Sequence, residues 1–281
     1  MPHVQLPDFR LHYEFAEPPR REKTEHVPVL LIMGLTVPGR GWRSILPAIQ
    51  NRHRVAWFDH RGVGQSEAPR GPYTMAQMAG DVVGLLDHLG WHQAHIAGIS
   101  MGGMVAQHVA LNHRHRVRSL ALLATHAGGW QARLPHPKGI FHFIQTQLVR
   151  DRPAKMAALS NLLFPQQYLE TCDRNAVRLA LEEDFGEPVP KSVLLNQYAA
   201  IQLHYTADKL ARLHDLPTLV IRPGQDLLIR PQESDRLAKL IPGAKLLRLD
   251  ACGHAVSRQD PQAVSAALLE HFAAAEPQAL S

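Results

Sequence analysis

The chain alternates short apolar runs with segments of helical period. Six runs are rich in Val, Ile, Leu and Ala: VPVLLIM (27–33), RVAWFD (54–59), AHIAGI (94–99), VRSLALLAT (117–125), PTLVIRP (217–223) and AKLLRLD (244–250). Near-continuous apolar runs of this length predict strands of a parallel sheet covered on both faces. Helices are predicted between them. Thr74 caps MAQMAGDVVGLLDHL and Gly90 ends it. GGMVAQHVALNH follows the third run, and QESDRLAKLI starts after Pro231 and stops at Pro242-Gly243. Asp260-Pro261 opens PQAVSAALLEHFAA with proline in its first turn. This alternation predicts an α/β fold with a doubly wound sheet. VQLPD and RLHYEFA, near the start, predict an antiparallel hairpin on one sheet edge.

Residues 128–207 break the rhythm. They offer no good strand run, only helical pieces: KGIFHFIQTQLV, PAKMAALSNLLF, DRNAVRLALEEDF and KSVLLNQYAAIQLHY. Gly128-Gly129 and Pro135–Pro137 mark the entry. A stretch of about 80 residues is too long for a structureless loop. The expected organisation is a core of residues 1–127 and 208–281 with an all-helical insertion at 128–207. An insertion after the C-terminal end of a strand sits where open α/β sheets bind ligands, so a lid or cap is expected. The aromatic and aliphatic residues of FHFIQTQLV, LLFPQQY and YAAIQLHY are expected either to pack cap against core, the commoner use of such stripes, or to face the pocket.

One serine stands out. In AHIAGISMGGMV (94–105), Ser100 lies between Gly98 and Gly102, after a buried strand and before a helix. A hydroxyl there is costly unless something uses it. The pattern is GxSxG, the nucleophile elbow: a strained strand-to-helix turn presents the serine, and the helix N-terminus offers free N–H groups to developing negative charge. Serine at neutral pH needs a base. In the chain order Ser, Asp/Glu, His, the acid and the base follow later strands. PTLVIRP runs into GQDLLIRPQ, with Asp226; AKLLRLD runs into ACGHAVSRQDP, with His254. Ser100, Asp226 and His254 are therefore the candidate catalytic triad.

From about residue 25 to residue 275 the chain resembles the α/β-hydrolase superfamily, in particular its cap-bearing serine esterase-like members. The resemblance implies the α/β-hydrolase fold with an inserted helical cap. DHRGVGQS (59–66) is similar to the family's DxRGxGxS segment, where Asp59, Arg61, Gly62, Gly64 and Ser66 would shape a tight loop. The resemblance also implies an oxyanion hole made by the N–H groups of Met101 and of Leu35, in MGLTVPGRGW. That loop often begins His-Gly in the family. Here it begins Met33-Gly34, which removes a supporting imidazole but not a main-chain donor. Dehalogenases and epoxide hydrolases of the superfamily carry Asp at the elbow, so Ser100 argues against both. The implied activity is hydrolysis of a carboxylic ester, or a related acyl bond, of a small apolar substrate. C–C bond hydrolysis, lactone hydrolysis, acyl transfer and perhydrolysis share this machinery, and a non-catalytic small-molecule receptor could share the fold.

Composition narrows the setting. The 281 residues are 45% hydrophobic and 20% charged, which suits a globular protein. No apolar run reaches the roughly 18 residues needed to cross a bilayer. The start, MPHVQLPDFRLHYEF, lacks a basic stretch followed by an apolar one, so a cytoplasmic protein without a membrane partner is expected. The net charge of +5 is spread along the chain, and HRHRVR (113–118) reads as a solvated helix end, not a nucleic-acid site. The two cysteines, Cys172 and Cys252, read as free thiols, with Cys252 a small buried residue. Eighteen histidines carry no local ligand spacing, so neither a metal nor a cofactor is expected. Trp42 is expected to pack. His126 is expected either near the site or in a solvated loop. A homodimer is common among such enzymes, but no stretch marks an interface.

Overall fold

Val29, Leu30, Leu31 and Ile32 are all buried, and a strand can bury every residue only when both faces of its sheet are covered. They form β3 (Val29–Ile32) of an eight-stranded sheet. The other strands are β1 (His3–Gln5), β2 (Arg10–Ala16), β4 (Val55–Phe58), β5 (Ala94–Ile99), β6 (Val117–Leu123), β7 (Thr218–Pro223) and β8 (Lys245–Leu249). This computed structural model describes residues 2–19, 26–133 and 136–276. The strand order is β1-β2-β4-β3-β5-β6-β7-β8. The β1–β2 and β2–β4 pairs are antiparallel and the remaining pairs parallel, so the leading hairpin extends one edge.

The period of two splits the core into two layers. Leu30, Ile32, Ile96, Leu120 and Leu122 face one layer, with α2 (Met75–His88), α3 (Met101–Asn112) and α9 (Pro231–Leu240). Val29, Leu31, Ala97, Ile99 and Leu123 face the other, with Trp42, α1 (Leu46–Gln50) and α11 (Pro261–Ala275). Helix α2 starts at a full capping box, Thr74 with Gln77, and Gly90 follows its end at φ 66°. The apolar run of β6 extends further than its ladder. Ala124 turns to φ 45° and leaves the sheet.

Between β6 and β7 the chain is helical: α4 (Pro137–Leu148), α5 (Arg152–Leu163), α6 (Gln166–Thr171), α7 (Arg174–Phe185) and α8 (Lys191–Leu203). Helix α6 was not legible in advance, since its six residues are too few to show a period. Pro135, one of the entry prolines, lies outside the described residues. The packing expected of the inserted helices holds in part: Leu162, Leu163 and Phe164 are buried, whereas Phe141, Ile144 and Leu148 of α4 are exposed. The basic stretch also differs from a solvated helix end. Arg116 is mostly buried, pairs with Asp87 at 2.6 Å and donates to the carbonyls of Trp91 and His92. A short helix, α10 (Val256–Gln259), precedes α11. Among the described residues no helix is long and apolar enough to cross a membrane.

Candidate active site

Ser100 follows β5 directly and is the N-cap of α3, at φ 56° and ψ −122°. A non-glycine residue there stores about 1–3 kcal/mol of strain, which the surroundings must hold in place. They do so with several bonds. Ser100 N–H donates to the Leu123 carbonyl at 2.9 Å, and the Thr125 hydroxyl donates to the Ser100 carbonyl at 2.7 Å. The glycines permit the crossing: a Cβ on Gly102 would lie 2.1 Å from the Ile32 carbonyl oxygen.

Asp226 and His254 meet at the same carboxyl edge of the sheet, beyond β7 and β8. Asp226 is buried. Its Oδ1 accepts the N–H groups of Leu228 and Ile229 at 2.8 and 2.9 Å. Its Oδ2 accepts a hydrogen bond from His254 Nδ1 at 2.7 Å. With the proton on Nδ1, the Nε2 lone pair of His254 is free to act as a base. The two loops are tied together, because Gln225 N–H donates to the Cys252 carbonyl at 2.8 Å. Burial pushes the Cys252 thiol up to about 11, so it is protonated and inert at neutral pH.

The loop after β3 passes beside Ser100. A Cβ on Gly34 would lie 3.2 Å from Ser100 Cβ and 3.7 Å from its Oγ. Among the described residues, neither the Leu35 nor the Met101 N–H has a partner within the protein. Two residues that sequence reasoning missed hold this loop. His60 Nε2 donates to the Met33 carbonyl at 3.0 Å. Burial drives His60 down to about 4, so it is a neutral donor at pH 7. Gln197 Oε1, from α8, accepts Thr36 N–H at 2.9 Å, where Thr36 sits at φ 58°. An imidazole thus supports the loop after all, arriving from the end of β4 instead of from position 33.

The segment after β4 is fixed as its motif suggests. Asp59 accepts Gly39 N–H at 2.8 Å, Gln65 N–H at 2.9 Å and His12 Nδ1 at 3.0 Å. Burial alone would raise the Asp59 pKa, but these donors outweigh it and the net direction is down. A Cβ on Gly64, at φ 55°, would strike Asp59 Oδ2 at 2.2 Å. Ser66 Oγ donates to the Asp59 carbonyl at 2.7 Å, and Arg61 pairs bidentately with buried Asp81.

Three of the inserted helices touch these loops. The Leu163 carbonyl, at the end of α5, accepts Ala255 N–H at 3.1 Å, next to His254. A Cβ on Gly139 of α4 would sit 2.0 Å from the Leu227 carbonyl oxygen, next to Asp226. Gln197 of α8 is the third contact. His126 is neither solvated nor in this cluster. It is buried where the chain leaves the sheet, and its Nδ1 accepts Gly128 N–H at 3.0 Å.

Comparison with known proteins agrees with this architecture. The family model for the alpha/beta hydrolase fold matches residues 27–261. A protein of Caulobacter segnis named "Putative carbamate hydrolase RutD" is 32% identical over 251 residues, covering 86% of this chain and 90% of that protein. The enol-lactonase from Burkholderia xenovorans LB400 superposes with a TM-score of 0.81 at 27% identity, covering 97% of this chain and 100% of the enol-lactonase. A hydrolase from Pseudomonas aeruginosa PA01 gives 0.79 at 28% identity, covering 96% and 97%. The chain belongs to the alpha/beta hydrolase fold family, and its activity class is hydrolase.

Proposed function

We propose that the chain is a serine hydrolase that cleaves a carboxylic ester or related acyl bond of a small substrate through an acyl-enzyme. The observation that carries this reading is the 2.7 Å bond between Asp226 and His254 Nδ1, at the sheet edge where Ser100 is held on a strained turn. His254 Nε2 takes the proton of Ser100 Oγ as the oxygen attacks the carbonyl carbon. Asp226 fixes the imidazole tautomer and stabilises the imidazolium. The N–H groups of Leu35 and Met101 stabilise the oxyanion. His254 then protonates the leaving group, and water repeats the sequence to release the acid. Helices α4–α8 act as a cap, and their side chains shape the acyl and alcohol pockets.

The relatives' name favours a second substrate class, a carbamate, and the enol-lactonase favours a lactone. Both present the same carbonyl to the same nucleophile, so substrate profiling decides among them. The first test is labelling with a fluorophosphonate probe and locating the adduct by mass spectrometry. A single adduct at Ser100, lost in His254→Ala, is expected. Ser100→Ala should lower turnover of whichever ester, carbamate or lactone is accepted by several orders of magnitude, with an unchanged circular dichroism spectrum. Full turnover in a folded Ser100→Ala protein would overturn the reading.

A further inference from the structure

A second cluster of titratable groups lies at the opposite edge of the sheet, where β3, β4 and β5 begin. Around Glu276, just beyond α11, stand three imidazoles. His26 Nδ1 and His95 Nε2 are each 3.4 Å from Glu276 Oε1, and His53 Nδ1 is 4.0 Å from it. One ring nitrogen each of His53 and His95 and one Glu276 oxygen lie within 4.8 Å of one another. His53 and His95 are buried, Glu276 is mostly covered, and His26 is partly open to solvent.

We infer that His53, His95 and Glu276, with His26 on the solvent side, form a structural site for a divalent transition-metal ion of the zinc class. The donor set is the first argument. Imidazole nitrogens with one carboxylate suit zinc, cobalt or nickel, whereas magnesium and calcium favour all-oxygen shells. Spacing is the second. Tetrahedral bonds of about 2.0–2.1 Å place neighbouring ligand atoms about 3.3 Å apart. The His26 and His95 distances to Glu276 already match this.

The outer contacts are the third argument, since ligating histidines commonly bond their second nitrogen to a carbonyl, carboxylate or hydroxyl. His95 Nδ1 is 2.8 Å from the Ser119 hydroxyl, and His53 Nδ1 donates to the Val27 carbonyl at 3.0 Å, which leaves Nε2 as the nitrogen of His53 open to a metal. Glu276 Oε1 accepts Val27 N–H at 3.1 Å. Arg118 also faces His95 and opposes a cation, and the Glu276 carboxylate offsets it. These ligands come from four separate segments, which is why local spacing gave no metal signal. A bound ion would clip the chain ahead of β3, β4, the start of β5 and the end of α11. It would stabilise the fold without entering the chemistry at Ser100.

The test uses the untagged full chain, treated with a chelator and dialysed. Titration with zinc by calorimetry should show one equivalent bound, and the melting temperature should rise with zinc and not with calcium. Cobalt should give the visible ligand-field bands of a four-coordinate nitrogen and oxygen shell. Glu276→Gln and His53→Ala should each weaken zinc binding at least tenfold. Absence of saturable binding, or unchanged affinity in Glu276→Gln, would overturn the proposal. Turnover of the Ser100 site is not the readout, so this result stands apart from the assignment of the reaction.

Discussion

Gln197 is fully buried, yet only half of its amide is used: Oε1 accepts Thr36 N–H, while Nε2 has no partner among the described residues. A buried orphan donor costs about 1–3 kcal/mol, so an alanine here could stabilise the fold while harming the site. If Gln197 holds the Leu35 amide in place, Gln197→Ala should lower kcat by about 10- to 100-fold, less than the direct loss of an oxyanion donor. Steady-state kinetics alongside thermal melting checks this, and an unchanged kcat would mean the loop holds itself. Asp226→Asn is a sharper change. The amide can keep the contact but favours the wrong imidazole tautomer, so turnover should fall about 10⁴-fold with the fold intact. As candidates, Ser100, Asp226 and His254 could be named from sequence because each stands just past a strand run, in a fixed order. His60 and Gln197 were not, because their roles arise from tertiary contacts, with the Met33 carbonyl and with Thr36 N–H, that no local pattern announces.

The strands and long helices were legible from period alone, to within two residues at most ends. Less legible was what joins the inserted helices to the core. The chain leaves at residues 126–128 and returns at 204–206, and the two crossings are laced together. Gly128 bridges Tyr205, and Thr206 N–H donates to the Ala127 carbonyl at 2.9 Å. His204 Nε2 donates to the His126 carbonyl at 3.1 Å, which leaves a bare, buried Nδ1. Burial, then the rings of His126 and His108, hold His204 at about 3; burial, then Arg236, hold His126 at about 4. Burial and Lys209 also lower His108. These groups stay neutral in the folded chain, while the unfolded chain takes up protons below about pH 6.5. Stability therefore falls as pH drops from about 6.5 towards 4, by about 1.4 kcal/mol per pH unit for each of His204 and His126. His204→Gln should show a smaller loss of melting temperature between pH 7.5 and pH 5 than the parent. Equal losses would place the acid sensitivity elsewhere.

At the scale of the whole molecule, the inserted helices are held far from these crossings by one buried carboxylate. Asp184 of α7 accepts two hydrogen bonds from Arg258 of α10, at 2.5 and 2.7 Å, and its Oδ1 lies 2.9 Å from Arg43 Nε. Arg258 follows the His254 loop and Arg43 follows the loop after β3, so Asp184 ties α7 to both sides of the candidate site. Burial raises its pKa, a pull the two arginines oppose. Removing one partner of a fully buried pair costs about 3–5 kcal/mol, because charge is left uncompensated. Arg43 and Arg258 keep some access to water, which lowers the expected cost of Asp184→Ala to about 1–3 kcal/mol. Urea unfolding should show this as a lower midpoint. Turnover should fall with it below the midpoint, since the freed helix no longer braces the loops that carry Leu35 and His254. Asp184→Asn, which retains an acceptor, should lie between. A lower midpoint with unchanged turnover would separate the brace from the chemistry and leave the contacts at Leu163, Gly139 and Gln197 as those through which the insertion acts on the site.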